Sequence, residues 1–386
     1  GNPPPRGEAK KIFFRKKKGR RSETEMRRHF FVSSRHMCGA IKKININSKK
    51  FFYLAHTVFM CTAIAYNAKT FFFGRTLDAD RDYGAEVVVM PRNFPLSLRH
   101  IRGSIRKYAV VGAAIVSGGC PLFFDGMNER GLCAAGLNFI GNAHYFPAKS
   151  GKTNLAQFEF IPYVLGSFAS ADEAAAALEN INITPESFSP DLPPAELHWL
   201  IADGSRTLTV ECTSSGLNVY ENPAGVLTNN PPFLYHMQNL ASYMSLSARP
   251  PQNNFAKGLS LSPYGAGLGA FGLPGDFSPQ SRFVRAAFVR GNAPASLEGE
   301  EALGMFFDVL SSVEVPRGAC RTENGDFYTR YSCCMDACGG NYYIVTRSRR
   351  APAAATLFAE DAEGEKLLRF SADGGQAILS LNRRDC

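Results

Sequence analysis

The residues best suited to catalytic chemistry are a cysteine that directly follows a methionine and two charged residues shortly after it. If Met60 and everything before it are removed, Cys61 becomes the N-terminal residue and carries both a thiol and a free α-amine. A thiol of ordinary pKa ~8.5 is a modest nucleophile until a base takes its proton, and an α-amine of pKa ~7.7 to 8.0 suits that task at neutral pH. The pairing predicts a nucleophile with its own base, for which no histidine is needed.

Two short apolar runs should bring the charged residues beside this cysteine. Residues 62–66 and 70–73 are predicted to form antiparallel strands joined by a short turn. This hairpin would return Arg75 and Asp78 to Cys61, with the guanidinium holding the sulfur as thiolate and the carboxylate orienting the amine. On position alone, the alternative is that Cys61 is a small buried apolar residue within a strand, which is the commoner fate of a free cysteine.

Basic residues are concentrated at the start of the chain. The 386 residues include 43 Lys and Arg and 34 Asp and Glu, but residues 1–59 hold 16 of the basic residues and 3 of the acidic ones. From Met60 onward the chain is mildly acidic, and its length allows one large core. We therefore expect a basic segment of low order at 1–59, outside the mature protein, and a folded region at 60–386.

Three interpretations of residues 1–59 remain open. The segment could be upstream sequence with Met60 as the initiator, or a secretion signal built on Lys49, Lys50 and the apolar run 51–60 and cleaved at Cys61. It could also be a basic arm that binds polyanions such as nucleic acid, in which case affinity should fall steeply with salt. The first predicts a cytoplasmic protein and the second an exported one. No apolar run is long enough for stable membrane insertion.

Cysteine placement argues against a disulfide framework. The ten cysteines are scattered, which favours a reduced, cytoplasmic setting. Cys333, Cys334 and Cys338 cluster, but they lack a second Cys/His pair at the spacing of a zinc site. Residues 331–335 are better interpreted as a buried strand, and no metal site is predicted there.

Three polar residues stand in unusual positions. Asn138 lies among apolar neighbours in a predicted strand, and Asn229 ends another strand before two prolines. Arg282 falls in the first turn of a helix predicted to begin near Pro279, where the helix dipole disfavours a cation. This misfit indicates a role for Arg282 outside its own helix.

The remaining pattern of strands in meanders, with helices grouped between them, predicts two antiparallel sheets covered by helices. Residues 117–121 are predicted to be a flexible loop, and 124–131 a turn. The apolar residues that border the loop, Ile115, Val116, Leu122 and Phe123, could line a pocket or could equally belong to the core, which is the commoner fate of such residues. The further predicted strands are 86–90, 107–116, 132–139, 197–202, 207–213, 217–221, 326–335, 341–346 and 354–360, and the predicted helices are 155–168, 171–180, 233–246, 278–290 and 298–313.

Taken together, these motifs resemble those of the choloylglycine hydrolase family, the N-terminal-nucleophile hydrolases that include bile salt hydrolases and penicillin V acylases. The similarity runs in order, with compatible spacing, from Met60 to about Asn382, and it does not include residues 1–59. The motifs are Cys61, Phe-Gly-Arg-x-x-Asp at 73–78, Pro-Arg-Asn-Phe at 91–94, Gly-Leu-Asn-Phe at 136–139, Val-Leu-Thr-Asn at 226–229, and Gly-Leu-Pro-Gly-Asp-Phe-Ser-Pro at 272–279 followed by Ser-Arg-Phe at 281–283.

The resemblance implies an α+β fold, the four-layer αββα sandwich, and amide hydrolysis without a cofactor or metal. Cys61 would be the nucleophile and its α-amine the general base, supported by Arg75 and Asp78. The side chain of Asn229 and the backbone N–H of Asn138 would stabilise the oxyanion. Arg282 would complete the polar network around the sulfur.

The same resemblance suggests a substrate. Bile salt hydrolases typically have asparagine at the position of Asn138, whereas penicillin acylases often have tyrosine, so glycine- or taurine-conjugated bile salts are expected. Penicillin V and acyl-homoserine lactones remain alternatives within the fold, and a non-catalytic relative would be expected to lack one of the site residues. Relatives commonly form homotetramers, and we carry that over as an expectation. No nucleic-acid partner is expected of residues 60–386.

Overall fold

The computed structural model describes residues 60–103, 107–376 and 378. Residues 1–59, and the predictions made for them, lie outside the described part of the chain. Within that part, no helix is both long enough and apolar enough to cross a membrane.

Eighteen strands and five α-helices follow one another along the described residues. The strands are β1 (Met60–Asn67), β2 (Phe71–Ala79), β3 (Glu86–Met90), β4 (Val110–Ser117), β5 (Cys120–Phe123), β6 (Asp125–Asn128), β7 (Cys133–Asn138), β8 (Thr153–Ala156), β9 (Ile181–Thr184), β10 (Leu197–Ala202), β11 (Thr207–Thr213), β12 (Gly216–Glu221), β13 (Val226–Leu227), β14 (Cys320–Thr322), β15 (Gly325–Asp336), β16 (Asn341–Thr346), β17 (Ala353–Thr356) and β18 (Leu368–Phe370). The helices are α1 (Phe160–Ser167), α2 (Ala171–Leu178), α3 (Phe233–Leu240), α4 (Pro279–Asn292) and α5 (Gly299–Ser311).

Two large antiparallel sheets form the centre of the fold. The first sheet has the order β13-β1-β2-β15-β16-β17, with β14 paired to β15. The second has the order β12-β11-β10-β7-β6-β4-β3-β18, with β5 paired to β4. A separate parallel pair joins β8 and β9. Because β1 and β2 lie in the interior of the first sheet, the cysteine hairpin is flanked by strands on both sides.

Side chains along the strands of the second sheet point alternately to its two faces, and this divides the core into two apolar clusters. Leu137 and Leu200 pack in the cluster between the sheets, which continues across the first sheet to α4 and α5. Trp199, next to Leu200 in β10, packs in the other cluster with Phe160 of α1. Side chains of successive strand residues point to opposite faces, so one sheet serves both clusters. The resulting order of layers is the αββα sandwich, as predicted.

The β1–β2 hairpin has the register that the site requires. Cys61 pairs with Leu77, and Ala63 pairs with Arg75. Gly74 allows β15 to approach, since a Cβ at this position would lie 1.9 Å from the carbonyl oxygen of Cys333. The strand predictions for 62–66 and 70–73 are confirmed, and both strands are longer than predicted.

Two short segments were predicted wrongly. Residues 117–121 form a tight hairpin, in which Ser117 pairs with Cys120 across Gly118 and Gly119, both of which have positive φ angles of 56° and 80°. The predicted turn at 124–131 contains β6, which pairs with β4 and β7. Asp, Gly and Asn are poor strand formers, so only tertiary pairing holds β6 in an extended conformation.

Other elements differ at their ends. The predicted helix 155–168 begins as the end of β8 and a 3₁₀ turn before α1, and the helix predicted at 233–246 ends as α3 at Leu240. The prediction for 171–180 is confirmed as α2, where the hydroxyl of Ser170 accepts the N–H of Glu173. The strands β8, β9, β14 and β18 were not predicted.

Candidate active site

Cys61 is the second residue of β1 and is buried. Burial raises the pKa of the thiol, whereas the nearby guanidinium of Arg75 lowers it. The carboxylate of Asp78 raises this pKa, while Arg282 and a hydrogen bond from the backbone N–H of Asp78 lower it. The surroundings therefore combine desolvation with two cations that favour the thiolate.

Asn229 connects the cysteine to the rest of the site through both atoms of its side-chain amide. Its Oδ1 accepts a hydrogen bond from the Cys61 nitrogen at 2.9 Å and a second one from Nη2 of Arg282 at 2.8 Å. Its Nδ2 donates to the carbonyl oxygen of Asn138 at 2.9 Å. With Met60 attached, the Cys61 nitrogen is a peptide nitrogen that can donate but cannot accept a proton.

Arg282 is completely buried and uses its fork of donors on the backbone around the cysteine. Nη1 donates to the carbonyl oxygen of Cys61 and to Oγ1 of Thr62, each at 2.6 Å, and Nε donates to the carbonyl of Phe277 at 3.0 Å. The hydroxyl of Ser278 caps the first turn of α4 by accepting the N–H of Ser281. The role outside its helix that was predicted for Arg282 agrees with these contacts.

Arg75 crosses from the first sheet to the second. Its Nη1 donates to the carbonyl oxygens of Gly136 at 2.6 Å and Phe124 at 3.2 Å, and its Nε donates to the carbonyl of Thr76 at 3.2 Å. The charge is nevertheless close enough to influence the Cys61 thiol, as described above. The guanidinium thus joins the hairpin to the backbone of the second sheet.

Asp78 lies opposite Met60 in the β1–β2 pairing and is fully buried. Its Oδ1 accepts the hydroxyl of Thr329 at 2.6 Å, and its Oδ2 accepts the hydroxyl of Thr76 at 3.4 Å. Burial raises the pKa of this carboxyl to about 6, although Arg282 and the two threonines act in the opposite direction. A carboxylate here would interact favourably with an ammonium group at Cys61.

A cavity of about 500 Å³ opens beside the sulfur. Cys61, Arg75 and Asn138 contribute polar groups to its wall, and most of the remaining wall is apolar or aromatic. Those other lining residues are Leu77, Tyr83, Ile115, Leu122, Phe123, Phe124, Gly136, Ile140, Gln157, Phe158, Ile161, Phe188, Leu192, Pro193, Pro194, Ala195, Glu196, Leu197 and Trp199. An elongated, mainly apolar acyl group could occupy such a space.

The hairpin formed by β4 and β5 supplies part of this wall, which is one of the two roles that its apolar residues allowed. Ile115, Leu122 and Phe123 line the cavity, and Tyr83 comes from the loop after β2. Val116 and the two-glycine turn are not among the described lining residues.

Two buried histidines that the sequence did not single out for the site hold the backbone that presents Asn229. A ring nitrogen of His198, Nε2, lies 3.1 Å from the carbonyl oxygen of Thr228, while its Nδ1 lies 3.1 Å from Oε1 of Glu211. His236 Nε2 lies 2.9 Å from the carbonyl oxygen of Asn229. Burial lowers the pKa of His236 to about 4, so its neutral ring donates this hydrogen bond at neutral pH.

Asp125 is another buried polar residue that the sequence analysis missed. It lies in β6, where a turn was predicted, and its Oδ2 is 4.0 Å from Nε of Arg75. The local sequence offers one hint of its role: β6 is built from residues that disfavour strands, so Asp125 is held there by contacts with other parts of the fold. Its partners become apparent only when the two sheets are packed together.

The described residues contain no group of three or more His, Cys, Asp and Glu side chains that could hold a metal ion. Eight cysteines fall within the described ranges, and each is a free thiol. Cys333 and Cys334 are buried in β15, in agreement with the strand predicted for this region.

The fold and this arrangement match a known class of enzymes. Residues 61–370 match the family of linear amide C–N hydrolases described as the choloylglycine hydrolase family. The chain belongs to this family, and it is a hydrolase of linear amide C–N bonds. The resemblance drawn from the sequence motifs is thereby confirmed.

Relatives within the family refine this comparison. The chain is 40% identical, over 324 residues, to a bile salt hydrolase/transferase from Lactiplantibacillus plantarum, which covers 84% of this chain and all of the relative. A solved structure of a variant of the conjugated bile acid hydrolase from Clostridium perfringens has a TM-score of 0.77 and 35% identity, covering 84% of this chain and all of that one.

A more distant structure shares the fold. Penicillin V acylase from Agrobacterium tumefaciens has a TM-score of 0.66 and 23% identity, covering 82% of this chain and 95% of that one. At this level of identity, the similarity concerns the fold alone.

Proposed function

We propose that the enzyme hydrolyses the amide bond of glycine- or taurine-conjugated bile salts, with Cys61 as its N-terminal nucleophile. The proposal depends most directly on one observation: the sulfur of Cys61 borders an apolar cavity while its nitrogen is held by the side chain of Asn229. The geometry around this residue suits acyl transfer, since nucleophile, base and amide donor meet at one point.

Maturation to Cys61 is part of the proposal. We take residues 60–386 as the catalytic domain and residues 1–59 as absent from the working enzyme, which is supported by the start of the family match at Cys61. Cleavage of the Met60–Cys61 bond would convert a peptide nitrogen into an amine. That amine can take the proton from the thiol on the same residue, and the carboxylate of Asp78 would stabilise the ammonium that forms.

The reaction then follows the usual course of covalent acyl transfer. The thiolate of Cys61 attacks the amide carbonyl carbon, and the oxygen becomes an oxyanion near Nδ2 of Asn229 and the backbone N–H of Asn138. The ammonium of Cys61 gives its proton to the leaving nitrogen as the C–N bond breaks, which releases glycine or taurine and leaves a thioester. Water, deprotonated by the same amine, attacks the thioester carbon. The C–S bond then breaks, the free bile acid leaves, and the ammonium returns its proton to the sulfur.

The cavity and the relatives support a bile salt as the acyl donor. The relatives from Lactiplantibacillus plantarum and Clostridium perfringens are bile salt or conjugated bile acid hydrolases by name. A mainly apolar wall with Gln157 and Glu196 among its few polar residues suits a rigid, amphipathic acyl group. Asn138 also favours a bile salt, because penicillin acylases often have tyrosine at this family position.

A transfer activity is a second candidate. The relative from Lactiplantibacillus plantarum is named a hydrolase/transferase, and a thioester can be attacked by an amine as well as by water. In that case, the nitrogen of an amino acid would bond to the acyl carbon, the C–S bond would break, and a new amide would leave while the thiol is restored. Product analysis with added amino acids separates the two outcomes.

Self-association and location complete the proposal. A long irregular segment after α3 exposes large apolar residues that a second copy of this chain could cover, as the expected homotetramer would require. These residues are Met244, Phe255, Leu259, Leu261, Tyr264 and Phe271. A cytoplasmic location is supported by the free state of the eight described cysteines, because oxidising compartments favour disulfides.

The test is release of glycine and taurine from conjugated bile salts by enzyme expressed from the full chain, with its N-terminus established by intact mass. Penicillin V and an acyl-homoserine lactone are assayed beside the bile salts. We expect active enzyme to begin at Cys61 and to prefer bile salts. Activity with Met60 still attached would overturn the mechanism, and faster cleavage of penicillin V would overturn the substrate.

A further inference from the structure

A buried carboxylate lies on the side of Arg75 that faces the second sheet. Asp125 accepts the hydroxyl of Tyr331 on Oδ2 and the hydroxyl of Tyr342 on Oδ1, each at 2.7 Å. Its Oδ1 also receives weaker contacts from the backbone N–H of Ala113 at 3.4 Å and the thiol of Cys333 at 3.7 Å. The carboxylate comes from one sheet and both tyrosines from the other, so this cluster is fixed by sheet packing.

The position of Arg75 does not depend on a hydrogen bond to this carboxylate. Nε of Arg75 is 4.0 Å from Oδ2 of Asp125, which is an ion-pair distance without a hydrogen bond. The guanidinium is instead held by the carbonyl oxygens of Thr76, Phe124 and Gly136. What Asp125 adds is therefore mainly charge.

That charge matters because the sulfur is negative in only part of the reaction. As a thiolate, Cys61 is itself a counter-charge for Arg75, but as a thiol or a thioester it is neutral. A buried guanidinium without any counter-ion is strongly unfavourable. Asp78 and Arg282 carry opposite charges that act on each other, so together they add little net charge to balance that of Arg75.

We propose that Asp125 is the permanent counter-charge of Arg75 and thereby sets how readily Cys61 becomes a thiolate. It acts through Arg75 and does not contact the substrate. The inference deepens the proposed function, because it rests on Cys61 being the nucleophile. With Asp125 ionised, Arg75 stabilises the thiolate enough for attack without trapping the sulfur in its charged form.

The charged and titratable groups around Asp125 and Cys61 determine whether Asp125 favours or disfavours the thiolate. Burial raises the pKa of Asp125 above its ordinary value, although Arg75 and the two tyrosine hydroxyls act in the opposite direction. Burial also raises the pKa of both tyrosines well above the ordinary value, so they remain donors. The groups that face Cys61 are Arg75, Asp78 and Arg282, and those that face Asp125 are Arg75, Tyr331, Tyr342, Cys133 and Cys333.

The test is the pH dependence of Cys61 alkylation in Asp125→Asn, a nearly isosteric change. Enzyme expressed from the full chain is treated with iodoacetamide between pH 5 and 10, and alkylation is counted on the Cys61 peptide by mass spectrometry. Removing the negative charge leaves Arg75 uncompensated, so the pH midpoint of Cys61 alkylation should fall by about one unit. Below the midpoint, alkylation should then be roughly tenfold faster than in the parent.

A second variant keeps the test decisive if Asp125→Asn does not fold. The double change Tyr331→Phe with Tyr342→Phe removes both hydroxyl donors, so the buried carboxyl should bind a proton at neutral pH, and the midpoint should again fall. Tyr343→Phe is the control. It removes the same hydroxyl group from the neighbouring residue of β16, which is less buried than Tyr342 and is not one of the two tyrosines that donate to Asp125. Its midpoint should equal that of the parent.

An unchanged or higher midpoint in the foldable variants would overturn the inference, since a purely structural carboxylate would give that result. The measurement uses no substrate, so it is independent of whether bile salts are cleaved. Failure of the proposed function would instead appear as absent turnover in the parent enzyme with a normal alkylation profile.

Discussion

The side-chain oxygen Oδ1 of Asn229 lies 2.9 Å from the nitrogen of Cys61, although 168 residues separate the two in sequence. The contact joins β1 to the segment that follows β13, and these two strands are hydrogen-bonded neighbours in the first sheet. Because one amide group serves the cysteine, Arg282 and Asn138 together, a small displacement of Asn229 would affect all three contacts.

Cys61, the proposed nucleophile, is the first residue to test. Cys61→Ala removes the sulfur that would form the thioester, and we expect turnover of conjugated bile salts to fall by at least ~10⁴-fold. Taurine release measures the loss. Cys338→Ala, which changes an exposed thiol, should retain parent activity. Residual turnover near the parent rate in Cys61→Ala would exclude this cysteine as nucleophile.

Asn229→Ala should reduce kcat more than it raises KM. The change removes the amide donor proposed for the oxyanion, and loss of one such donor costs ~10² to 10³ in kcat. Steady-state kinetics with a taurine conjugate measure the effect. Asn230→Ala is the adjacent control, because the side chain of Asn230 donates to the carbonyl of Ile140 instead. Equal losses in both variants would indicate a general disturbance of this segment.

Asp78 should make stability depend on pH while Met60 is attached. Its pKa is about 6 in the folded chain, against an ordinary value of 3.8. The folded state therefore binds more protons than the unfolded state between these values, and this contribution to stability is lost as pH rises through about 6. A shift of this size corresponds to about 3 kcal/mol.

In Asp78→Asn, this dependence is absent. The free energy of unfolding of the variant, relative to the parent, should increase by up to about 3 kcal/mol from pH 4 to pH 6. Urea unfolding at intervals across this range measures the difference. A constant difference between the two proteins would mean that Asp78 titrates at its ordinary pKa.

Gly136→Ala should discriminate between acyl groups. A Cβ at this position would lie 3.4 Å from Cδ1 and Nε1 of Trp199 and 3.5 Å from Cδ1 of Ile161, so the methyl group fits but reduces the cavity. We expect KM for bile salts to rise about tenfold, and that for the smaller acyl group of penicillin V to change less. Gly275→Ala, with no atom within 4 Å of its Cβ, is the control.

The exposed segment after α3 should control self-association. Phe255 and Tyr264 are 79% and 90% exposed, and Asp at both positions would place charge where a second copy is proposed to pack. Light scattering after size-exclusion chromatography should then give a smaller assembly than the parent. Phe358→Asp changes an exposed residue outside the segment and should leave the mass unchanged. A monomeric parent would contradict the proposal.

Local patterns in the sequence were sufficient for several features of the site. The apolar runs around Cys61 have the length and spacing of a strand pair, and a hairpin with a short turn has little freedom in register. Arg75 and Asp78 were placed near the cysteine for this reason. The capped helix that contains Arg282 was equally local, because Ser278 and Pro279 mark its start.

Features that depend on distant parts of the chain could not be predicted in this way. The amide of Asn229 reaches Cys61 only because β13 is added to the edge of β1, and nothing in either strand specifies that pairing. His198 is an ordinary strand residue in the sequence, and its contact with the carbonyl of Thr228 arises from sheet packing. The same holds for β6, whose residues disfavour a strand.

The sequence by itself determined the candidate nucleophile Cys61, the hairpin that contains it and the family motifs, because each is set by residues within one or two strand lengths. Only the tertiary structure decided which carboxylate lies behind Arg75 and which residues wall the cavity. Asp125 is joined to Tyr331 and Tyr342 across more than 200 positions. Such contacts follow from the order and packing of the sheets, and the local spacing of residues carries no information about them.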